Sequence, residues 1–206
     1  MRTLLLALFP LAAAADGTQA ATKPAAGLET AIFAGGCFWC MEAAFDGLAG
    51  VVTAESGYTG GKLTHPTYQQ VGHTEHEHVE AVRVVFDPKK VSYDELLFRY
   101  WRNVDPFDLD GQFCDQGTSY QPVVFVDGAA QRTAAEASRK VAAEQLGKAV
   151  EVPIRDAATF WLAEDYHQDY HSKNPYRYSY YRWGCGRDAR LDEVWGAQAR
   201  GGAAGH

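Results

Sequence analysis

The sequence predicts a single α+β domain in which a mixed β-sheet is flanked by helices, a two-layer sandwich with long loops and a C-terminal coil. Three observations predict it. Strand-like and helix-like stretches are interspersed along the chain, as when helices pack on a sheet. The links between them are hairpin-length or are long loops, which disfavours the regular crossovers of a doubly wound parallel sheet. The 206 residues, 47% apolar and 22% charged, suit one globular domain that buries its own core.

Residues 1–15 (MRTLLLALFPLAAAA) set Arg2 ahead of an apolar run from Leu4 to Ala15. That run is shorter than the roughly 20 residues needed to span a bilayer and has the length of a secretory signal core. The expectation is a cleaved signal peptide, no stable membrane insertion afterwards, and a periplasmic or secreted protein in a compartment where disulfides persist. Residues 16–27 read as a linker, 28–196 as the folded domain, and 197–206 as a flexible Gly/Ala tail.

Within the domain, Leu28–Ala34 reads as a strand burying Ile32 and Phe33, and Gly35-Gly36 ends it. From Cys37 to Leu48 the apolar residues Phe38, Met41 and Phe45 recur at helical spacing. Residues 50–61 form an extended run closing in a turn at Tyr58-Thr59-Gly60-Gly61. Val79–Phe86 alternates as a strand, with Val82, Val84 and Phe86 on one face, and Asp87-Pro88 stops it. Ser92 and Glu95 make a capping box for a helix reaching about Asn103. A loop follows over 103–117, then a buried strand at Val123–Val126. Ala129–Leu146 reads as an Ala-rich helix capped by Gly147, Val150–Ile154 as a strand, and Thr159–Ser172 as a helix ending ahead of Pro175.

Net charge is −7 and the pI about 5.5, which argues against a nucleic-acid surface. A chain this long folds without staples, so its four cysteines are free for chemistry. The sharpest feature is Gly35-Gly36-Cys37-Phe38-Trp39-Cys40, where a strand meets two glycines and a cysteine opens a helix. Unpaired N–H groups at that terminus favour an anion and bias the sulfur toward thiolate, though by less than one pKa unit, so further donors are needed. Cys37 and Cys40 could form a redox dithiol, half a zinc site or a structural disulfide. With Cys114 and Cys185 isolated from each other and Phe38-Trp39 forming an apolar pair, a reactive thiol is the preferred reading.

Gly36-Cys37-Phe38-Trp39 and Gly57-Tyr58-Thr59-Gly60-Gly61 together resemble the A-type methionine sulfoxide reductases, the peptide-methionine (S)-S-oxide reductases. The likeness continues in order through Pro66-Thr67-Tyr68, His78–Val82, Phe86-Asp87-Pro88, Asp115–Tyr120, Ala163–Gln168 and Lys173-Asn174-Pro175. It covers about residues 30–196. The resemblance implies a ferredoxin-like core and reduction of methionine S-sulfoxide, free or in proteins and peptides, with no metal or organic cofactor. By the same resemblance Cys37 is the nucleophile and Glu80 the acid that makes the sulfoxide oxygen a leaving group. Tyr68 and Tyr120 would hydrogen-bond that oxygen, Asp115 would line the site, and Phe38 and Trp39 would wall it. Cys37 and Glu80 should then share a proton near neutral pH, because two adjacent anions repel.

Oxygen transfer leaves a sulfenic acid that a second thiol condenses with, and the resemblance implies recycling by thioredoxin or a similar dithiol. Cys185, in Trp183-Gly184-Cys185-Gly186, is favoured as the resolving cysteine because a Gly-rich segment can fold over the site. Cys40 is the alternative, its side chain being committed to a helix one turn away. Cys114 reads as a small packing residue. The protein is expected to be a monomer.

Two other functions stay open at this point. A general thiol–disulfide oxidoreductase would use Cys37 and Cys40, although no proline matches the later cis-proline loop of such folds. A metal-binding protein would use His73, His76 and His78 in the His/Glu-rich run 73–80, which otherwise reads as a polar loop entering a strand.

Overall fold

The computed structural model describes residues 18–72 and 77–201. The signal-peptide reading over 1–15 lies outside the described residues, as do His73, His76 and the last five positions of the tail. The chain runs through β1 (Glu29–Ala34), α1 (Phe38–Phe45), β2 (Val51–Thr59), α2 (Tyr68–Val71), β3 (Val79–Phe86) and α3 (Tyr93–Trp101). A small hairpin, β4 (Gly111–Gln112) and β5 (Asp115–Gln116), precedes β6 (Val123–Val126), α4 (Gly128–Leu146), β7 (Ile154–Asp156) and β8 (Trp161–Leu162). Three helices finish the domain: α5 (Tyr170–Lys173), α6 (Pro175–Gly184) and α7 (Arg187–Trp195).

Six strands form one mixed sheet in the order β7-β6-β1-β3-β2-β8. All neighbours are antiparallel except β6 and β7, the parallel pair that the long helix α4 connects. Alternation along the strands decides which residues meet the helices. Ala31 and Phe33 of β1 and Val82, Val84 and Phe86 of β3 pack with Met41 and Phe45 of α1, and with Leu96, Leu97, Tyr100 and Trp101 of α3. Ile32, Ala34, Ala81, Val123 and Phe125 point the other way into a smaller cluster with Phe160. β3 is central and buried along its whole length. Two expected end signals are present: the Ser92–Glu95 capping box opens α3, and Gly147, at φ 62°, closes α4.

Several elements differ from the expectation. The helix expected over Thr159–Ser172 is replaced by β8, which pairs with β2 through Gly57 and Tyr58, followed by turns and the single-turn helix α5. Edge pairing overrides helical propensity there, because Trp161 is drawn into the Phe38–Tyr58 cluster. The strand expected at Val150–Ile154 lies a few residues later, at β7. Residues 18–22, within the stretch read as linker, run along the sheet edge, where Leu162 N–H donates to the Gln19 carbonyl and Ala21 N–H to that of Phe160.

The expected C-terminal coil is helical. Pro175 occupies the first turn of α6, where its missing N–H costs nothing, and Gly186, at φ 65°, turns the chain into α7. Leu191 and Trp195 of α7 join the main core, and Ala199 of the following turn is buried beside them. A purely compositional reading of the Gly- and Tyr-rich end misses this amphipathic helix.

Candidate active site

The turn from β1 into α1 needs glycine. Gly36 sits at φ +80°, and a Cβ there would approach Gln112 Cβ to 2.6 Å. The turn leaves Cys37 as the N-cap of α1 with φ −49° and ψ 121°, and Cys40 as its third helical residue. Side chains at those two positions face each other, as in a capping box. Cys37 and Cys40 are accordingly hydrogen-bonded through their sulfurs, both free and both buried. The expectation that Cys40 is committed a turn away fails because Cys37 is outside the helix proper.

Glu80 shares the helix-facing side of β3 with Val82 and Val84, opposite Tyr58 of β2. Only 3% exposed, it accepts the Phe38 backbone N–H on Oε2 at 2.9 Å. Burial raises its carboxyl to about 8, with the Phe38 N–H partly opposing and the charges of Asp115 and Cys40 adding to the rise. Glu80 therefore holds a proton at neutral pH.

Cys37 behaves differently from the helix-terminus argument. Burial pushes its thiol well up, and Cys40 and Glu80 add to the rise. The N–H expected to support a thiolate is bonded to Glu80 instead. Cys40 is brought down to about 6, first by its hydrogen bond from Cys37 and then by the fields of Arg187 and Arg182 and the Tyr178 hydroxyl. The two sulfurs share a proton as one unit, and the negative charge rests on the Cys40 side, where the guanidinium groups are. The proton sharing expected between Cys37 and Glu80 is thus found mainly between Cys37 and Cys40.

A cavity of about 60 Å³ opens above Cys37, lined by Phe38, Trp39, Tyr68, Glu80, Asp115, Tyr120 and Tyr181. The structure brings together every site residue expected from sequence except Cys185, with Cys40 reaching the Cys37 sulfur without lining the cavity, and it adds Tyr181. Tyr68 and Tyr120 hydrogen-bond each other. Glu164 positions Tyr68 by accepting its backbone N–H at 2.9 Å while also accepting the Tyr58 hydroxyl at 2.9 Å. The Trp39 indole N–H donates to His167 Nδ1 at 3.1 Å, and Tyr170 stacks on the Trp39 ring at 3.7 Å. Burial lowers His167 to about 4, so the ring is neutral with its proton on Nε2. Nothing in the sequence singles out Tyr181 from the four tyrosines of 176–181, because only its place in α6 aims its hydroxyl at Asp115.

Cys185, favoured from sequence as the resolving cysteine, is paired with Cys114. They form a disulfide with each other, Cα to Cα 4.8 Å, joining the end of α6 to the residue before Asp115. Cys114 is exposed rather than packed. Of the histidines weighed as metal ligands, His78 has both ring nitrogens on backbone, Leu63 carbonyl at 2.8 Å and Gly61 N–H at 3.3 Å.

A paired thiol set against a protonated carboxyl, inside an α+β sandwich, defines the class as a cysteine-dependent oxidoreductase. Similarity to known proteins makes that specific. The peptide methionine sulfoxide reductase family profile matches residues 29–199, and the chain belongs to that family. Peptide methionine sulfoxide reductase MsrA 2 of Caulobacter vibrioides is 54% identical over 193 residues, covering 93% of this chain and 98% of that one. Among solved structures, Mxr1 of Saccharomyces cerevisiae in reduced form superposes with a TM-score of 0.70 at 25% identity, covering 75% of this chain and 90% of that one. Methionine sulfoxide reductase A of Corynebacterium diphtheriae gives 0.64 at 31% identity over 73% and 76% of the two chains. Mxr1 in complex with Trx2 shares the fold at a TM-score of 0.51, with 17% identity over 73% and 89% of the two chains.

Proposed function

We propose that the protein reduces methionine S-sulfoxide, free or within peptides, through Cys37. The carrying observation is that Cys37 and the protonated Glu80 meet in one small cavity walled by Phe38 and Trp39. A cavity of about 60 Å³ is on the scale of a sulfoxide head. The aromatic wall suits a thioether methyl. The choice of the S epimer follows from family membership.

Cys37 gives its proton to the Cys40 sulfur and attacks the sulfoxide sulfur as thiolate. Glu80 donates its proton to the sulfoxide oxygen, and the Tyr68 and Tyr120 hydroxyls hold that oxygen. Oxygen transfers to Cys37, so methionine leaves and Cys37 becomes a sulfenic acid; two electrons pass from cysteine to substrate sulfur. Cys40, already in contact, displaces water to form a Cys37–Cys40 disulfide. We favour Cys40 over Cys185 because its sulfur is hydrogen-bonded to Cys37, whereas Cys185 is bonded to Cys114. A dithiol reductant then restores both thiols. The yeast relative Mxr1 forms a complex with Trx2, which supports a thioredoxin-class donor here. We read the chain as exported and monomeric, the first on the apolar run at 4–15.

The deciding experiment compares both sulfoxide diastereomers as substrates for the parent and Cys37→Ser proteins. Turnover of the S form alone, abolished by the substitution, is expected; persistent activity in Cys37→Ser overturns the reading. Peptide mapping after one turnover without reductant identifies the disulfide formed.

A further inference from the structure

Tyr181 stands out because the helix that carries it has no apolar anchorage and is tied to its neighbours by contacts such as Arg182 on the Asp188 carboxylate of α7 and Tyr178 against the His171 ring of α5. No residue of α6 is buried, and none belongs to the apolar clusters. Its contacts with the site are the Tyr181 hydroxyl on the Asp115 carboxylate and on the Cys37 sulfur, the Tyr181 ring edge on Trp39 at 5.7 Å, and Tyr178 and Arg182 beside Cys40. The Cys114–Cys185 disulfide spans the same gap covalently. Cys185 follows Tyr181 by one turn, its N–H on the Tyr181 carbonyl at 2.9 Å, and Cys114 immediately precedes Asp115. The bond therefore restrains both ends of the Tyr181–Asp115 contact, across 71 residues of sequence.

We propose that Tyr181 is a further catalytic residue of this site and that the Cys114–Cys185 disulfide is the strap that positions it. One hydroxyl proton cannot serve Asp115 and Cys37 at once. When Asp115 is ionised, Tyr181 donates to the carboxylate. When Asp115 is protonated, it donates to the Tyr181 oxygen, and Tyr181 donates to the Cys37 sulfur, favouring the thiolate that attacks. Burial raises the Asp115 carboxyl, which brings the second arrangement within reach. The strap keeps α6 close enough for the exchange.

This inference rests on the reading of Cys37 as the nucleophile. It is tested in single turnover without reductant, where methionine formation does not depend on recycling. Tyr181→Phe is expected to slow that step roughly ten- to a hundredfold, the range for a hydrogen bond to a charged group, at unchanged stoichiometry. The Cys114→Ser/Cys185→Ser variant should slow it comparably, and the triple variant should be no slower than Tyr181→Phe. A parent-like rate in the strap variant, or losses that multiply, overturns the proposal. Tyr181→Phe keeps the strap and so guards against misfolding. In it the pH midpoint of Cys37 alkylation should rise, and an unmoved midpoint also overturns the proposal. Activity surviving Cys37→Ser would instead remove the nucleophile reading itself.

Discussion

The Phe38 backbone N–H donates to Glu80 Oε2 at 2.9 Å, so the helix terminus beside Cys37 serves the Glu80 carboxyl and not the sulfur. Without that donor a buried carboxyl would hold its proton still more tightly. With it, Glu80 titrates at about 8, near enough to neutrality both to give up a proton and to be recharged. Thiolate character is supplied separately, by Arg182, Arg187 and Tyr178 acting on Cys40. Glu80 and the Cys37–Cys40 pair thus draw on different donors.

The first prediction concerns pH. In the proposed mechanism the protonated form of Glu80 is the active one, so kcat/KM should fall as pH rises through about 8. Glu80→Gln should lose that limb and slow methionine formation by about 10²–10⁴-fold. The same group makes a linkage prediction. Its folded pKa lies above the unfolded carboxylate value, so stability is highest below the unfolded value and declines up to about pH 8. Melting curves of the parent and Glu80→Gln across pH 5–8 (roughly the carboxylate-to-Glu80 window) check it, since only the parent should show the decline.

Cys40 provides the second. Cys40→Ser should still form one methionine per molecule but stall as the sulfenic acid, with steady-state turnover by a dithiol reduced about tenfold or more. Single-turnover and steady-state assays on one preparation separate these. Undiminished steady-state turnover would return the resolving role to another cysteine.

Much of this is legible in the sequence for particular reasons. Val79–Phe86 shows its strand because alternation and the Asp87-Pro88 stop coincide, and the Ser92–Glu95 box marks α3 because capping is local chemistry. Cys37, Tyr68, Glu80, Asp115 and Tyr120 lie in ordered motifs, and they converge on one cavity. What stays hidden depends on distant partners. β8 exists only because β2 offers an edge, α7 only because Leu191 and Trp195 find the main core, and the Cys114–Cys185 bond only because α6 returns to the Asp115 hairpin. The role of Cys40 turns on a one-residue question that spacing does not answer, whether Cys37 lies inside the helix or caps it.

Glu42 ties the site to its scaffold and gives the third prediction. Buried on α1, it accepts the Ser56 hydroxyl of β2 and, at 2.6 Å, the Asp169 N–H ahead of α5. α5 begins with Tyr170, the ring stacked on Trp39. Glu42→Ala leaves two donors without their acceptor, at about 1–3 kcal/mol each if both stay dry. Denaturant unfolding should show that loss. Loosening of Tyr170 should also disturb substrate binding more than chemistry, so KM for the sulfoxide should rise by a larger factor than kcat falls.

His167 makes the last prediction, and its sign follows from burial. The folded ring titrates at about 4 because charging it would desolvate an imidazolium against Phe38, Tyr68 and Trp39, whereas the unfolded ring takes a proton near 6.5. Between those values the unfolded chain binds the extra proton, so its contribution to stability is full above about 6.5 and is lost as pH falls toward 4. Protonation also removes the acceptor for the Trp39 indole N–H, since Nδ1 then carries hydrogen itself. Acid should therefore weaken the fold and unseat the cavity wall together. Trp39 fluorescence followed beside thermal melts from pH 7 to 4 (about the span of the unfolded and folded values) should change in step in the parent. In His167→Gln, whose amide oxygen can accept the indole proton but cannot titrate, both changes should flatten. A His167→Gln protein with the parent's acid profile would show that the ring is not the group responsible.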